Sequence, residues 1–487
     1  MEATLQTENK MGTMSVGRLL ANMALPMVAS MLVQALYNVV DSIYVSQVSE
    51  NALTAVSMAY PIQNLMIGFS TGVGVGMNSL LSKCLGSKEH DRGNRAAGNG
   101  LVLSAVCCVL FMLFGVFGAG LFFRVQTDIP EIYNGGVQYL QICTLFSFGL
   151  FGEILFERLL QATGRTMYTM ITQGIGAVLN IILDPLFIFG GLGIPAMGVA
   201  GAAVATVIGQ IVAFFLALLF HLRKNPEVTL SRQSMRLHWD VLKPILSVGI
   251  PSIVMVAIGS VMNFTMNQIL VGFTSTAVAV FGAYFKLQSF IFMPVFGLTN
   301  AMVPIVAYNF GARKPARIQK CIVLSCICAF LFMLCGFAVF QITPELLLAM
   351  FHPTDTFLSM GSQALRIISW GFPIASFCVV LSAVFQVGDR PVRYHRLPGQ
   401  TVVGPAACSL PPVPVQPAGA GVVVVPSGRT GLHHRDAFLL LPGLPEKAAP
   451  HFGGFRLRHS RPALTLFAIF SQILHGFDET RRKILYS

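Results

Sequence analysis

Ala24-Leu25-Pro26 and Tyr37-Asn38-Val39-Val40-Asp41 lie within one apolar stretch, residues 19–46, and Ile250-Pro251 opens the same pattern a second time. A membrane-crossing helix needs about 20 mostly apolar residues, and this stretch exceeds that. Further stretches of the same kind occupy 52–82, 97–123, 137–161, 167–190, 198–221, 242–271, 277–307, 319–342 and 358–386. Breakers or charges separate them, among them Ser49-Glu50-Asn51, Gly86-Ser87-Lys88, Asp128-Ile129-Pro130 and Gly311-Ala312-Arg313. The composition agrees: 54% of the 487 residues are hydrophobic, 11% are charged, and the mean hydropathy is +0.70. A soluble domain carries roughly 25% charged residues. A chain this apolar calls for a solvent that is itself apolar, and every backbone group must then be satisfied within helices. The expectation is an all-α polytopic membrane protein that moves a solute across a bilayer.

The net charge of +12 is not read as a nucleic-acid site, because the basic residues sit in short loops between spans. Lys10, Arg18, Lys83, Lys88, Arg92, Arg95, Arg165, Arg223, Lys224, Arg232, Arg236, Lys243, Arg313, Lys314, Arg317 and Lys320 fall on one side of the alternating spans, and Arg124 alone on the other. The positive-inside rule then places the N-terminus (residues 1–17) in the cytoplasm of a multi-pass plasma-membrane protein. No cleaved signal peptide is read at the N-terminus. The ten cysteines include no C-x-x-C pair, and Cys107, Cys108, Cys143, Cys326, Cys328 and Cys335 sit in apolar runs as small hydrophobes.

The chain repeats itself at an offset of about 225 residues. Leu25-Pro26 falls on Ile250-Pro251, Asn38 on Asn263, Gln63 on Gln288, Gly72 on Gly297, Gly86-Ser87-Lys88 on Gly311-Ala312-Arg313 and Gln161 on Gln386. Six spans per repeat leave both halves facing the same way, the arrangement of two lobes rocking about a central cavity. The expected division is an N-lobe at 18–221, a cytoplasmic linker at 222–241 and a C-lobe at 242–388.

Residues 389–487 break the pattern. The repeat calls for two more spans there, but 12 of the 26 prolines and six of the ten histidines fall after residue 389. Pro411-Pro412-Val413-Pro414 cannot form a membrane helix. Back-translating Gly399 to Ala407 and dropping one base yields codons that allow a leucine-rich, span-like string. The expectation is a frameshift close after Gly388 that replaces the last two spans, ten being legible where twelve are required. A disordered linker is the plain alternative.

A charge at the centre of a span costs roughly 2.5–3.5 kcal/mol on insertion scales, so each one needs a reason. Asp41 follows Tyr37 and Asn38 at i, i+1, i+4, which predicts a shared helix face. Asp184 follows Asn180 by one turn. Two acids among amide and hydroxyl neighbours suit Na⁺ or a proton relay, while Asp184-Pro185 also reads as a helix end. Glu157 and Arg158 read as snorkelling or pairing near the cytoplasmic end of their span; Glu153 lies deeper. Lys286, roughly 14 Å into its span by helical rise, reads as balancing charge in the cavity or meeting a structural partner. Gly72-Val73-Gly74-Val75-Gly76 is no phosphate loop, since no strand precedes it and no Gly-Lys-Ser/Thr follows. Its glycines predict close helix approach. No catalytic constellation and no nucleotide motif is present, so the chain is read as a transporter driven by an ion gradient, not as an enzyme.

Several of these runs together resemble the MATE family of multidrug exporters, closest to its bacterial NorM and DinF types. They are residues 24–42, Ala52 to Val56, Gly72 to Gly76, Leu85-Gly86, Leu179 to Pro185, Gly201 to Thr206, Pro304 and Asn309-Phe310-Gly311, in that order over residues 15–388. The resemblance implies twelve helices in two lobes and antiport of organic cations or other drug-like molecules against Na⁺ or H⁺, without a cofactor. It implies a cation site at Asp41, Asn180, Asp184 and Thr206, with Na⁺ on Asp41 and Asp184 if sodium drives transport. Tyr37, Asn38, Glu153, Asn263 and Lys286 are expected along the substrate cavity. The expected partners are the lipid bilayer and a small drug-like or cationic substrate, with no nucleic acid, and the protein is expected as a monomer. Two other readings stay open. One is a flippase of lipid-linked substrates, for which Lys286 and Arg366 alone offer positive charge. The other is a non-transporting sensor or the inactive product of a frameshifted gene.

Overall fold

The computed structural model describes residues 9–191, 193–271, 275–350, 355–385 and 387; the 389–487 tail lies outside them. The chain forms α1 (Lys10–Thr13), α2 (Val16–Val48), α3 (Glu50–Gly86), α4 (His90–Phe117), α5 (Ala119–Arg124), α6 (Pro130–Leu145), α7 (Phe148–Ala162), α8 (Thr166–Ile188) and α9 (Val199–Lys224). It continues with α10 (Trp239–Val271), α11 (Ser275–Gly311), α12 (Pro315–Ile342), α13 (Pro344–Ala349), α14 (Asp355–Ser369) and α15 (Phe372–Phe385). Among the described residues eight helices are long and apolar enough to cross a membrane, and two bent pairs, α6–α7 and α14–α15, bring the number to ten.

The helix ends follow local chemistry. Extended Ser49 separates α2 from α3, and its hydroxyl accepts the Ala52 N–H at 3.0 Å, satisfying a donor the helix start leaves free. Pro130, Pro315 and Pro344 stand in first turns, where a missing N–H costs nothing. Three expected spans are corrected: 137–161 and 358–386 are the bent pairs α6–α7 and α14–α15, and 97–123 is not a single helix. α4 starts earlier, at His90, and stops at Phe117; Gly118 closes it by donating to the Phe114 carbonyl at 2.7 Å, and α5 starts afresh.

The repeat is structural. An offset of about 225 residues carries the bounds of α3 onto α11, α4 onto α12 and α5 onto α13, and carries the 45° bend between α6 and α7 onto the 50° bend between α14 and α15. The turns after α3 and α11 match bond for bond. Glu89 N–H donates to the Cys84 carbonyl at 2.8 Å and Lys314 N–H to the Asn309 carbonyl at 2.9 Å. Lys88 and Arg313, one residue earlier, both have positive φ, 63° and 55°.

The two lobes meet through α2 against α11 and α3 against α10. The closest approaches lie toward the face that carries the N-terminus. Gly86 lies against the Tyr308 carbonyl and Gly311 against the Lys83 carbonyl, a reciprocal pair that leaves no room for a Cβ on either. Gly72 lies against Gly249 and Ile253, and its repeat partner Gly297 against Met27 and Val28. The glycine run therefore does what its composition suggests, letting backbones touch. In the half toward the opposite face, a Cβ at Gly259 or Gly282 would meet no atom within 4 Å.

α1 is held by both lobes at the N-terminal face. Asn9 donates to the Thr163 carbonyl at 3.2 Å and to Glu227 at 2.7 Å. From the second lobe, Asn309 and Arg317 donate to the Met11 carbonyl, Lys314 to that of Gly12, and Arg317 again to that of Met14 at 2.6 Å.

Candidate functional site

The first-lobe acids come together between α2, α8 and α9. Asp184 is fully buried and Asn180 nearly so. Asp184 stands within α8, which runs on through Pro185 to Ile188, so the Asp184-Pro185 pair does not end the helix. Proline at 185 instead removes the donor that would satisfy the carbonyl one turn earlier, leaving that part of α8 more polar. Asn180 Nδ2 lies 3.2 Å from Asp184 Oδ1 and 3.3 Å from Thr206 Oγ1. From α2, the Asp41 carboxyl reaches that of Asp184 within hydrogen-bonding range. Tyr37, one turn before Asp41, lies within electrostatic range of Asp41, Asp184 and Glu153.

Three oxygens of the cluster, Asp41 Oδ1, Asp184 Oδ2 and Asn180 Oδ1, are buried without a partner in the protein. Native interiors rarely leave such atoms unsatisfied. Two touching carboxyls repel when both are ionised, unless a proton or a cation lies between them. A small set of hard oxygens with unused lone pairs is the donor chemistry that Na⁺ or H⁺ takes. The residues therefore fit either coupling ion.

Not every candidate joins this cluster. Asn38 is exposed and donates to the Gln34 carbonyl of its own helix at 2.9 Å. One residue rotates a helix by about 100°, so i and i+4 share a face while i+1 turns off it; the shared face expected for Asn38 is corrected on that ground. Glu153 is half-buried on α7, between Tyr37 and Glu157. Lys286 is exposed on α11. The side chain of Asn263, on α10, lies outside the described residues.

The sequence did not mark Gln63 and Tyr139 as neighbours of the cluster, and it left Glu157 and Arg158 between snorkelling and pairing. Gln63 donates to the Tyr139 hydroxyl at 3.2 Å, and Tyr139 is within electrostatic range of Asp41 and Tyr37. Glu157 does not snorkel. It is buried, receiving Thr172 Oγ1 at 2.8 Å and Gln173 Nε2 at 2.7 Å from α8. Arg158 crosses to the second lobe, donating to Asn300 at 3.1 Å and to Gln161 at 3.0 Å. The available signal was the polar stripe of α8, where Thr166, Thr169, Thr172, Gln173, Asn180 and Asp184 recur at helical spacing.

The sequence profile of the MatE family matches residues 26–186 and 251–391, two segments set apart by the same offset as the repeat. The chain belongs to the MatE family. MATE proteins are membrane transporters, which places this multi-pass chain among transporters and not among enzymes. It is 28% identical to a FAD transporter of Shewanella oneidensis over 368 residues, covering 73% of this chain and 77% of that protein. It is 25% identical to the multidrug export protein MepA of Staphylococcus saprophyticus over 355 residues, 72% and 77% of the two chains. Its fold is similar to that of a multidrug resistance MATE transporter solved in an outward-facing conformation, with a TM-score of 0.74 at 23% identity over 78% of this chain and 85% of that one.

Proposed function

We propose that this MATE transporter exports small drug-like or cationic molecules across the plasma membrane in exchange for Na⁺ or H⁺, with its N-terminus in the cytoplasm. The observation that carries the reading is the buried Asp41–Asp184 carboxyl pair with its orphaned oxygens. The relative named as a multidrug exporter supports small-molecule efflux, and the one-sided distribution of Lys and Arg supports the orientation. Coupling follows from charge. A proton or Na⁺ at the pair removes the negative field that a cationic substrate needs, and a bound cation removes the field that holds the ion. Each ligand then weakens the other by the same factor. Among the described residues the closest contacts between the lobes lie toward the N-terminal face, an arrangement closed on that side.

Asp41→Asn keeps the shape and loses the charge. Efflux of a cationic dye from a pump-deficient host is expected to fall about tenfold or more, with membrane levels unchanged; efflux at the native rate would refute the assignment.

A second reading rests on the FAD transporter as a relative. An anionic dinucleotide would be repelled by two ionised acids and accepted once the coupling ions neutralise them. Competition separates the two: excess FAD suppresses dye efflux under the second reading and leaves it unchanged under the first.

A further inference from the structure

Five of the eleven partnerless buried polar atoms among the described residues lie on α8: Thr166 Oγ1, Thr169 Oγ1, Gln173 Oε1, Asn180 Oδ1 and Asp184 Oδ2. They share one face, the face that α8 buries. At the N-terminal end, Thr166 lines a cavity of about 410 Å³ together with Lys10, Arg165 and Glu227. These atoms are spread along α8 and are interrupted at Gly176, which packs against Gly209 and Ala213 of α9. Glu157 stands beside Thr172 and Gln173.

Thr172 is placed to serve Glu157 in either charge state. Its single hydroxyl lies 2.8 Å from Glu157 Oε1 and 2.8 Å from the Thr169 carbonyl. A carbonyl only accepts, and one hydroxyl has one proton to give. With Glu157 ionised, Thr172 donates to Glu157. With Glu157 protonated, Glu157 donates to Thr172, and Thr172 donates to Thr169. Both charge states are satisfied without moving a heavy atom. Gln173 turns its amide donor toward the carboxyl, a poor arrangement for a metal cation and compatible with a proton.

We propose that Glu157 is a proton-carrying site separate from the Asp41–Asp184 pair, with Thr172 as the hydroxyl that serves both of its charge states. Glu153 lies one turn before it on α7. Only O–H bonds change: a proton taken from water binds Glu157 Oε1, Thr172 turns from donor to acceptor of that bond, and its own hydroxyl proton turns to the Thr169 carbonyl. The charged or titratable groups around Glu157 are Glu153 and Arg158 on its own helix and His221 of α9, whose ring packs on Phe156. At the cavity mouth stand Lys10, Arg165, Tyr168 and Glu227. Burial, then the neighbouring Arg165 guanidinium, hold the Lys10 ammonium below its ordinary range, and Glu227 opposes them.

The inference rests on the ion-coupled reading and adds a second, proton-specific site to it. The test is the protonated-carboxyl C=O stretch in pH-difference infrared spectra of the purified full chain. A pH-dependent band is expected to vanish in Glu157→Gln, shift in Thr172→Val and return to its native position in Thr172→Ser. A full set of bands in Glu157→Gln, or a band indifferent to Thr172→Val, overturns the proposal. In proteoliposomes, Thr172→Val is expected to cut dye-driven proton flux about tenfold while gradient-free dye exchange stays within about twofold, and Thr172→Ser to restore the flux. Equal loss of flux and exchange without rescue by Ser, or native transport with no proton flux, also overturns it. Unchanged efflux by Asp41→Asn would strike the exporter reading alone, because the Glu157 band is read without transport.

Discussion

Asn180 holds Asp184 and Thr206 with one amide group, so the three side chains form a unit whose members are not equivalent. Asp184→Asn removes a charge on which coupling depends, and dye efflux is expected to fall about tenfold or more. Thr206→Val removes one neutral contact, a loss of about 1 kcal/mol, and an efflux change within about fivefold is expected. Dose–response curves in a pump-deficient host, corrected for membrane level, check the ranking; a Thr206→Val defect as large as that of Asp184→Asn would contradict it. Asp41 and Asp184 stood out because a charge inside a span is costly and needs a reason, while the family resemblance, not their spacing, joined them in one site. Glu157 was misplaced for a related reason. Its nearness to the span end suggested snorkelling or pairing, and only the packed structure shows that it stays inside, bonded to Thr172 and Gln173.

Helix ends were legible to within a few residues at Ser49, where the expected spans 19–46 and 52–82 are α2 and α3, but the span expected to start at 137 begins seven residues earlier, at Pro130. The bends were not legible. Phe146-Ser147 contains no glycine or proline, and although Gly371 and Pro373 mark the second bend, the apolar pattern runs through both, so α6–α7 and α14–α15 read as single spans. The clasp at α1 was also hidden, because its bonds go to the backbone carbonyls of Met11, Gly12 and Met14 and leave no pattern in side-chain types. Arg317 makes two of those bonds and another to Asn309. Arg317→Ala is expected to loosen the N-terminal face and raise thiol labelling of a cysteine introduced at Ser87; labelling at the native rate would show that the clasp carries no weight. Gly311→Leu puts a side chain where the Lys83 carbonyl already lies. Overpacking of this kind typically costs about 1–3 kcal/mol or more, and a lower melting temperature in detergent is expected.

At the scale of the molecule, the repeat is the most legible feature, since an offset read from paired motifs also sets the bounds of three helix pairs and the position of both bends. It also exposes an asymmetry. The first lobe contributes α8 and α9, which carry Asn180, Asp184 and Thr206, while the described part of the second lobe stops at α15 and the 389–487 tail lies beyond it. Restoring the reading frame after Gly388 is expected to raise dye efflux over that of the present chain in the same host. Equal efflux from both versions would show that the tail is not the defect its composition suggests.

The central claim is that Asp41 and Asp184 form the point where substrate and coupling ion compete, and equilibrium binding of a cationic dye to the purified chain tests it most directly. The expected result is that raising H⁺ or Na⁺ weakens dye binding to the native protein and leaves binding to Asp41→Asn/Asp184→Asn unaffected. Ion dependence of the same size in the double variant would contradict the claim.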